Sequence, residues 1–282
     1  MDEIAAILAR HRPGREAPSI VKLGEGWDNV VYEVDGELIV RQSKEVDPSA
    51  RSEAVRREAN LLEAVAGFST VPVPIPLFVD PDAGVLAYAR LTGRLLRDHP
   101  VTDSQALADS LADFIGVLHA MPSRRVEPLV PRETLQVAQW RADAERNYPD
   151  IAGSIGADDR RLIEDFLDRP PPAEGAVGVF CHNNLGAENL LVDEDVDRLS
   201  GVIDWTDAAI TDPALDLAPV YRDLGPEIFE LTLSGDRLGD VARSRAVFFA
   251  RCALIEDIAY ALAVQDTSAA ERSIAALPRT FS

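Results

Sequence analysis

The stretch from Val179 to Ala218, VFCHNNLGAENLLVDEDVDRLSGVIDWTDAAITDPALDLA, constrains this chain most. It opens with a loop that carries His182, Asn184 and, five positions further on, Asn189. Two apolar runs, LLV and GVI, then flank an acidic turn and read as a β-hairpin whose second strand ends in Ile203-Asp204. Four carboxylates, Asp204, Asp207, Asp212 and Asp216, fall within thirteen positions. A loop and hairpin of this kind hold a few polar side chains at strand ends, where a rigid scaffold can aim them.

The flanking sequence sets the fold class. Residues 4–11 read as a short helix, and from Ser19 to Gln42 the pattern is strand-like, with Asp35-Gly36 as a hairpin turn. Pro48-Ser49 opens a helix that runs to about Val65 and stops at Gly67. VPVPIPLFVD, the turn Asp82-Ala83-Gly84 and VLAYARL read as an extended edge, a turn and a strand. After Gly93 helices dominate: Leu107, Leu111, Phe114, Ile115 and Leu118 fall at helical spacing, and helices also fit about 133–147 and 158–168. The expected class is α+β, a bilobal, protein-kinase-like fold. Residues 1–92 would form a small β-rich N-terminal lobe that binds nucleotide, and residues 93–282 a larger helical C-terminal lobe.

Composition narrows the partners. A formal net charge of −20 over 282 residues argues against nucleic acid or an anionic membrane and suits a cationic small ligand, although it also suits plain solubility. Two cysteines, Cys181 and Cys252, make neither a disulfide framework nor a zinc site. The acidic first residues lack a leader pattern, and no apolar run approaches the ~18 residues of a membrane helix. The expected location is cytoplasmic.

Several positions fit the chemistry of phosphoryl transfer. Gly24 and Gly26, in LGEGWDNV, lie between two strands, where backbone N–H groups can approach phosphate oxygens; a third glycine of a Gly-rich loop would fall at Asn29. Arg41 closes the strand LIVR and Glu58 lies on the next helix, the layout of a phosphate-pairing cation and its carboxylate partner. Arg41 also fits an ordinary strand-end charge. The loop His182–Asn189 fits a group that addresses an acceptor hydroxyl at 184 and an oxygen ligand for Mg²⁺ at Asn189, with Asp204 as the second metal ligand. His182 suits a structural role in this loop. Asp207 fits either a cap or a substrate contact, Asp212 a turn or cap, and Asp216 a brace for the loop. Glu256 and Asp257, late in the chain, fit contacts to substrate ammonium groups or a solvated helix face. Asp204 and Asp212 are too close in sequence for a protein kinase's activation segment, so a protein substrate is not expected.

At these residues the chain resembles the aminoglycoside phosphotransferase family, antibiotic kinases with a protein-kinase-like fold. The resemblance runs over nearly the whole chain and is specific in the stretch from Phe180 to Ala218 and in LGEGWDNVVYEV. It implies ATP or GTP and Mg²⁺ as cofactors and transfer of the γ-phosphate to a hydroxyl of an aminoglycoside, a macrolide or a basic cyclic peptide. It places the nucleotide loop on Gly24, Gly26 and Asn29, the cation on Arg41, a hinge on Tyr88, Ala89 and Leu91, and the metal ligands on Asn189 and Asp204. A monomer is the state expected for such kinases. The family's catalytic Asp falls on position 184, which is Asn here. Asn can accept a hydrogen bond but cannot take a proton at neutral pH, and losing a general base costs about 10²–10⁴-fold. A deliberate Asp→Asn exchange, a natural enzyme working with Asn, and a catalytically silent binding protein all fit. So does a metabolic kinase of the choline, homoserine or sugar type.

Overall fold

The computed structural model describes residues 2–14, 18–26, 28–134, 137–175, 178–234 and 240–282. The chain divides into two compact units, Met1–Gly93 with Ser200–Thr206, and Arg94–Leu199 with Asp207–Ser282.

The first unit contains α1 (Asp2–His11), β1 (Ile20–Glu25), β2 (Asn29–Val34), β3 (Leu38–Ser43), α2 (Pro48–Ala66), β4 (Pro76–Asp80) and β5 (Val85–Ala89). The strands form an antiparallel sheet in the order β1-β2-β3-β5-β4. Asp35 and Gly36 both have positive φ, 55° and 72°, as the tight turn between β2 and β3 requires. Helix α1 covers the sheet, burying Ile4, Ile7 and Leu8 with Val34, Leu38, Val40 and Val85. Asp80 at the end of β4 ties it there through Arg10 at 2.8 Å and His11 at 3.0 Å. Helix α2 starts where the sequence sets it: the Ala50 N–H donates to the Asp47 side chain at 2.8 Å, and Pro48 occupies the first turn, where no N–H is needed.

The second unit contains β6 (Arg94–Leu95), α3 (Ser104–His119), α4 (Val137–Ile151), α5 (Ala157–Leu167), β7 (Val179–Cys181), β8 (Leu190–Asp193), the start of β9 (Arg198–Val202), β10 (Ala209–Thr211), α6 (Ala214–Pro219), α7 (Gly225–Ser234), α8 (Asp240–Ala263) and α9 (Thr267–Phe281). Strand β7 pairs antiparallel with β10, and β6 pairs antiparallel with β8. The periodic residues of α3 are its buried face: Leu107, Leu111, Phe114, Ile115 and Leu118. Its start is fixed by Asp197, whose carboxylate accepts from Thr102 Oγ1 at 2.6 Å and from the Thr102 and Asp103 N–H groups at 2.9 Å each. These bonds hold Asp197 below the usual carboxylate range. The helix expected over about 133–147 lies at Val137–Ile151, because Arg132 and Glu133 instead bond along β10 through Ile210. No helix among the described residues is long and apolar enough to cross a membrane.

Candidate active site

The first unit gathers the groups suited to phosphates. Strand β1 bulges between Lys22 and Gly24 as it enters the loop. At Gly24 and Gly26 nothing lies within 4 Å of where a Cβ would stand, so the backbone presents an open face. The loop is closed by Gly26 N–H donating to the Asn29 carbonyl at 2.9 Å. Glu25 takes Lys22 at 2.7 Å and Lys44 at 2.9 Å, and these ammonium groups pull its pKa down to about 2. Trp27 of the same motif lies outside the described residues.

Arg41 connects three elements of this unit. Its guanidinium bonds Glu58 on α2, Asp204 Oδ1 at 3.1 Å and Thr206 Oγ1 at 2.9 Å. Burial alone would lower the Arg41 pKa, but Glu58 and then Asp204 raise it above the ordinary value, so the cation persists. Asp204 is in the left-handed region, φ 61°, and its side chain is 44% exposed, which leaves carboxylate oxygen for another ligand. Tyr88 on β5 is buried, and burial pushes its phenol up to about 12. Ala89 pairs across the sheet with Leu38 and is exposed, and Leu91 follows, partly buried.

The second unit holds the loop 182–189. Asp216, wholly buried on α6, accepts the N–H of Asn183 at 2.7 Å and of His182 at 3.3 Å, with His119 Nε2 at 2.9 Å. Asn183 has φ 67°, a costly conformation for a residue with a Cβ, and this brace helps to keep it. His182 is buried and belongs to the scaffold of the loop. Asn189 Nδ2 donates to the Asn184 carbonyl at 3.0 Å, so its amide oxygen is the end suited to a hard cation. An amide oxygen at Asn189 and a carboxylate at Asp204 are donors of the kind Mg²⁺ takes. His119, Cys181 and Asp216 also lie together, but Asp216 is already committed to backbone N–H groups and burial raises the Cys181 thiol well above its ordinary pKa, which does not suit a metal thiolate.

Asn184 stands in the wall of a cavity of about 790 Å³ within this unit. Glu188, Asp223, Asp257 and Asp266 line it, together with arginines that include Arg222. Arg222 bonds Asp223 at 2.7 Å and Asp257 at 3.0 Å, and these carboxylates raise its pKa against the opposing effect of burial. Asp257 therefore reaches the cavity, while Glu256 is exposed and does not line it. Asp207 is exposed, and its Oδ2 accepts from Asn184 Nδ2 at 3.2 Å. Glu188, Arg222 and Asp223 escaped the sequence reasoning. Glu188 sits beside Asn189 inside the motif and was within reach, whereas Arg222 and Asp223 lie in an irregular helical turn, Val220–Leu224, with no pattern to mark them.

A family model described as "Phosphotransferase enzyme family" matches residues 19–247. A viomycin phosphotransferase of Streptomyces vinaceus is 29% identical over 66% of this chain and 68% of its own. An aminoglycoside 3'-phosphotransferase of Streptomyces fradiae is 28% identical over 54% of this chain, and the match spans 59% of that relative's length. Among solved structures, the GDP and kanamycin complex of APH(2")-IIia is similar with a TM-score of 0.77 at 19% identity, covering 99% of this chain and 98% of that one. The architecture is thus α+β and protein-kinase-like, with a β-sheet N-terminal region and a helical C-terminal region.

Proposed function

This chain belongs to the phosphotransferase enzyme family, and from that premise we propose that it transfers the γ-phosphate of ATP or GTP to a hydroxyl of an amine-bearing antibiotic, an aminoglycoside or a basic cyclic peptide. The observation that supports this best is Asn184 in the wall of the second unit's cavity, held by a loop braced on Asp216. In the first unit, Gly24, Gly26 and Arg41 would hold the phosphates. Asp204 in the first unit and Asn189 in the second each offer an oxygen of the kind Mg²⁺ takes, and Mg²⁺ offsets phosphate charge when bound. In the second unit, Asp257, Asp223 and Glu188 would face the amines of the acceptor, and Asn184 would accept a hydrogen bond from its hydroxyl. The amide of Asn184 cannot itself take the proton of that hydroxyl.

The test is phosphate transfer by the chain and by Asn184→Asp, with ATP and GTP in turn, against aminoglycosides, macrolides and basic peptide antibiotics. Transfer to an aminoglycoside or a basic peptide antibiotic by either form supports the proposal, and transfer to macrolides alone contradicts its acceptor class. Silence of both forms, with nucleotide still bound, contradicts it and favours a kinase-fold binding protein.

A further inference from the structure

We propose that the carboxylate of Asp207 is the general base for the acceptor hydroxyl, supplying at the next side chain the proton-accepting group that Asn184 lacks. This rests on the kinase reading above.

Asp207 Oδ2 lies 3.2 Å from Asn184 Nδ2. A carboxylate can only accept, so the amide must turn its nitrogen toward Asp207. Asn184 thereby stabilises the charge on Asp207 and presents its own oxygen elsewhere. Asp207 is held from the other side as well, where Asn183 Nδ2 donates to its carbonyl at 3.2 Å and bonds Glu133 at 3.5 Å. Burial first, and then the charge of Asp207, raise the Glu133 pKa. An Asp at 184 would instead face Asp207 as a second carboxylate at this distance, and two like charges there could not both ionise freely. Asn at 184 is thus compatible with an ionised base at 207.

In the step, the acceptor O–H bond breaks and its oxygen bonds the γ-phosphorus. The bond from that phosphorus to the bridging oxygen breaks, its electron pair leaving with the nucleoside diphosphate. The proton moves to an Asp207 oxygen, directly or through one water, the reach a general base requires.

The test compares kcat and KM for the unaltered chain, Asp207→Asn, Asn184→Asp and the double variant, with folding checked by thermal denaturation. The unaltered chain should fall within about tenfold of Asn184→Asp. Asp207→Asn should lower kcat by about 10²-fold or more with nucleotide KM unchanged, and adding Asn184→Asp should restore it. Retained kcat in Asp207→Asn, or a loss that Asn184→Asp does not restore, overturns the assignment. Silence of the unaltered chain beside an active Asn184→Asp overturns it and leaves the kinase reading standing. Silence of all four folded proteins overturns both.

Discussion

The Asp216 carboxylate accepts the Asn183 N–H at 2.7 Å, and this bond links α6 to a loop thirty-three residues earlier. Asp216 is wholly buried, and its other contacts are the His182 N–H and His119 Nε2. Replacing it by Ala leaves buried donors unsatisfied, at about 1–3 kcal/mol each. Asp216→Ala should therefore lose about 3 kcal/mol or more in urea denaturation, and Asp216→Asn less, since one acceptor oxygen remains. Equal stability of all three proteins would show that the brace contributes nothing.

Arg41 and Glu58 are almost fully buried as a pair, with side chains 8% and 14% exposed. Arg41→Met leaves a buried carboxylate without its partner, a change that costs about 3–5 kcal/mol. The double variant Arg41→Met, Glu58→Leu should recover most of that stability, because two apolar side chains replace two charges of similar bulk. Nucleotide binding should be lost in both. A stable single variant would mean that the pair is solvated in solution.

How far the sequence alone reached is plain at these two sites. Glu58 is legible from its place on the helix after β3, where motif spacing sets a partner for Arg41, and Asp216 from its place in the carboxylate-rich stretch that follows the loop. The hairpin turn at Asp35-Gly36 and the apolar face of α3 were legible because turn chemistry and the 3.6-residue period are local properties. The contact between Asn184 and Asp207 was not legible, since it joins side chains twenty-three residues apart through the pairing of β7 with β10. Nor was the neutralisation of Asp257 by Arg222, which depends on an irregular turn after α6.

The start of α3 should weaken in acid. Hydrogen bonds from Thr102 and Asp103 lower the pKa of Asp197 in the folded protein. The stability it adds is therefore present above the unfolded carboxylate pKa of about 3.9 and is lost as pH falls through its lower folded value. Thermal denaturation of the chain and of Asp197→Asn from pH 7 down to pH 2 should show curves that converge below about pH 4. A constant gap between them would place the contribution of Asp197 outside its ionisation.

Arg222 should tune the acceptor. Its guanidinium offsets Asp223 and Asp257 inside the cavity. Arg222→Gln makes the cavity more anionic, so the KM of a polycationic acceptor should fall several-fold at low ionic strength, and the difference should shrink as salt is added. An unchanged KM across acceptors of different charge would remove the cavity from the substrate site.

The most direct measurement of the central claim is the fate of a labelled γ-phosphate. The unaltered chain is incubated with γ-labelled ATP or GTP, Mg²⁺ and each antibiotic class, and the label is followed. The expected result is label covalently attached to a hydroxyl of an aminoglycoside or a basic cyclic peptide, with the unaltered chain within about tenfold of Asn184→Asp, a smaller gap than the loss of a general base gives. Label remaining on nucleotide, or released only as free phosphate, for both forms and every drug would contradict it.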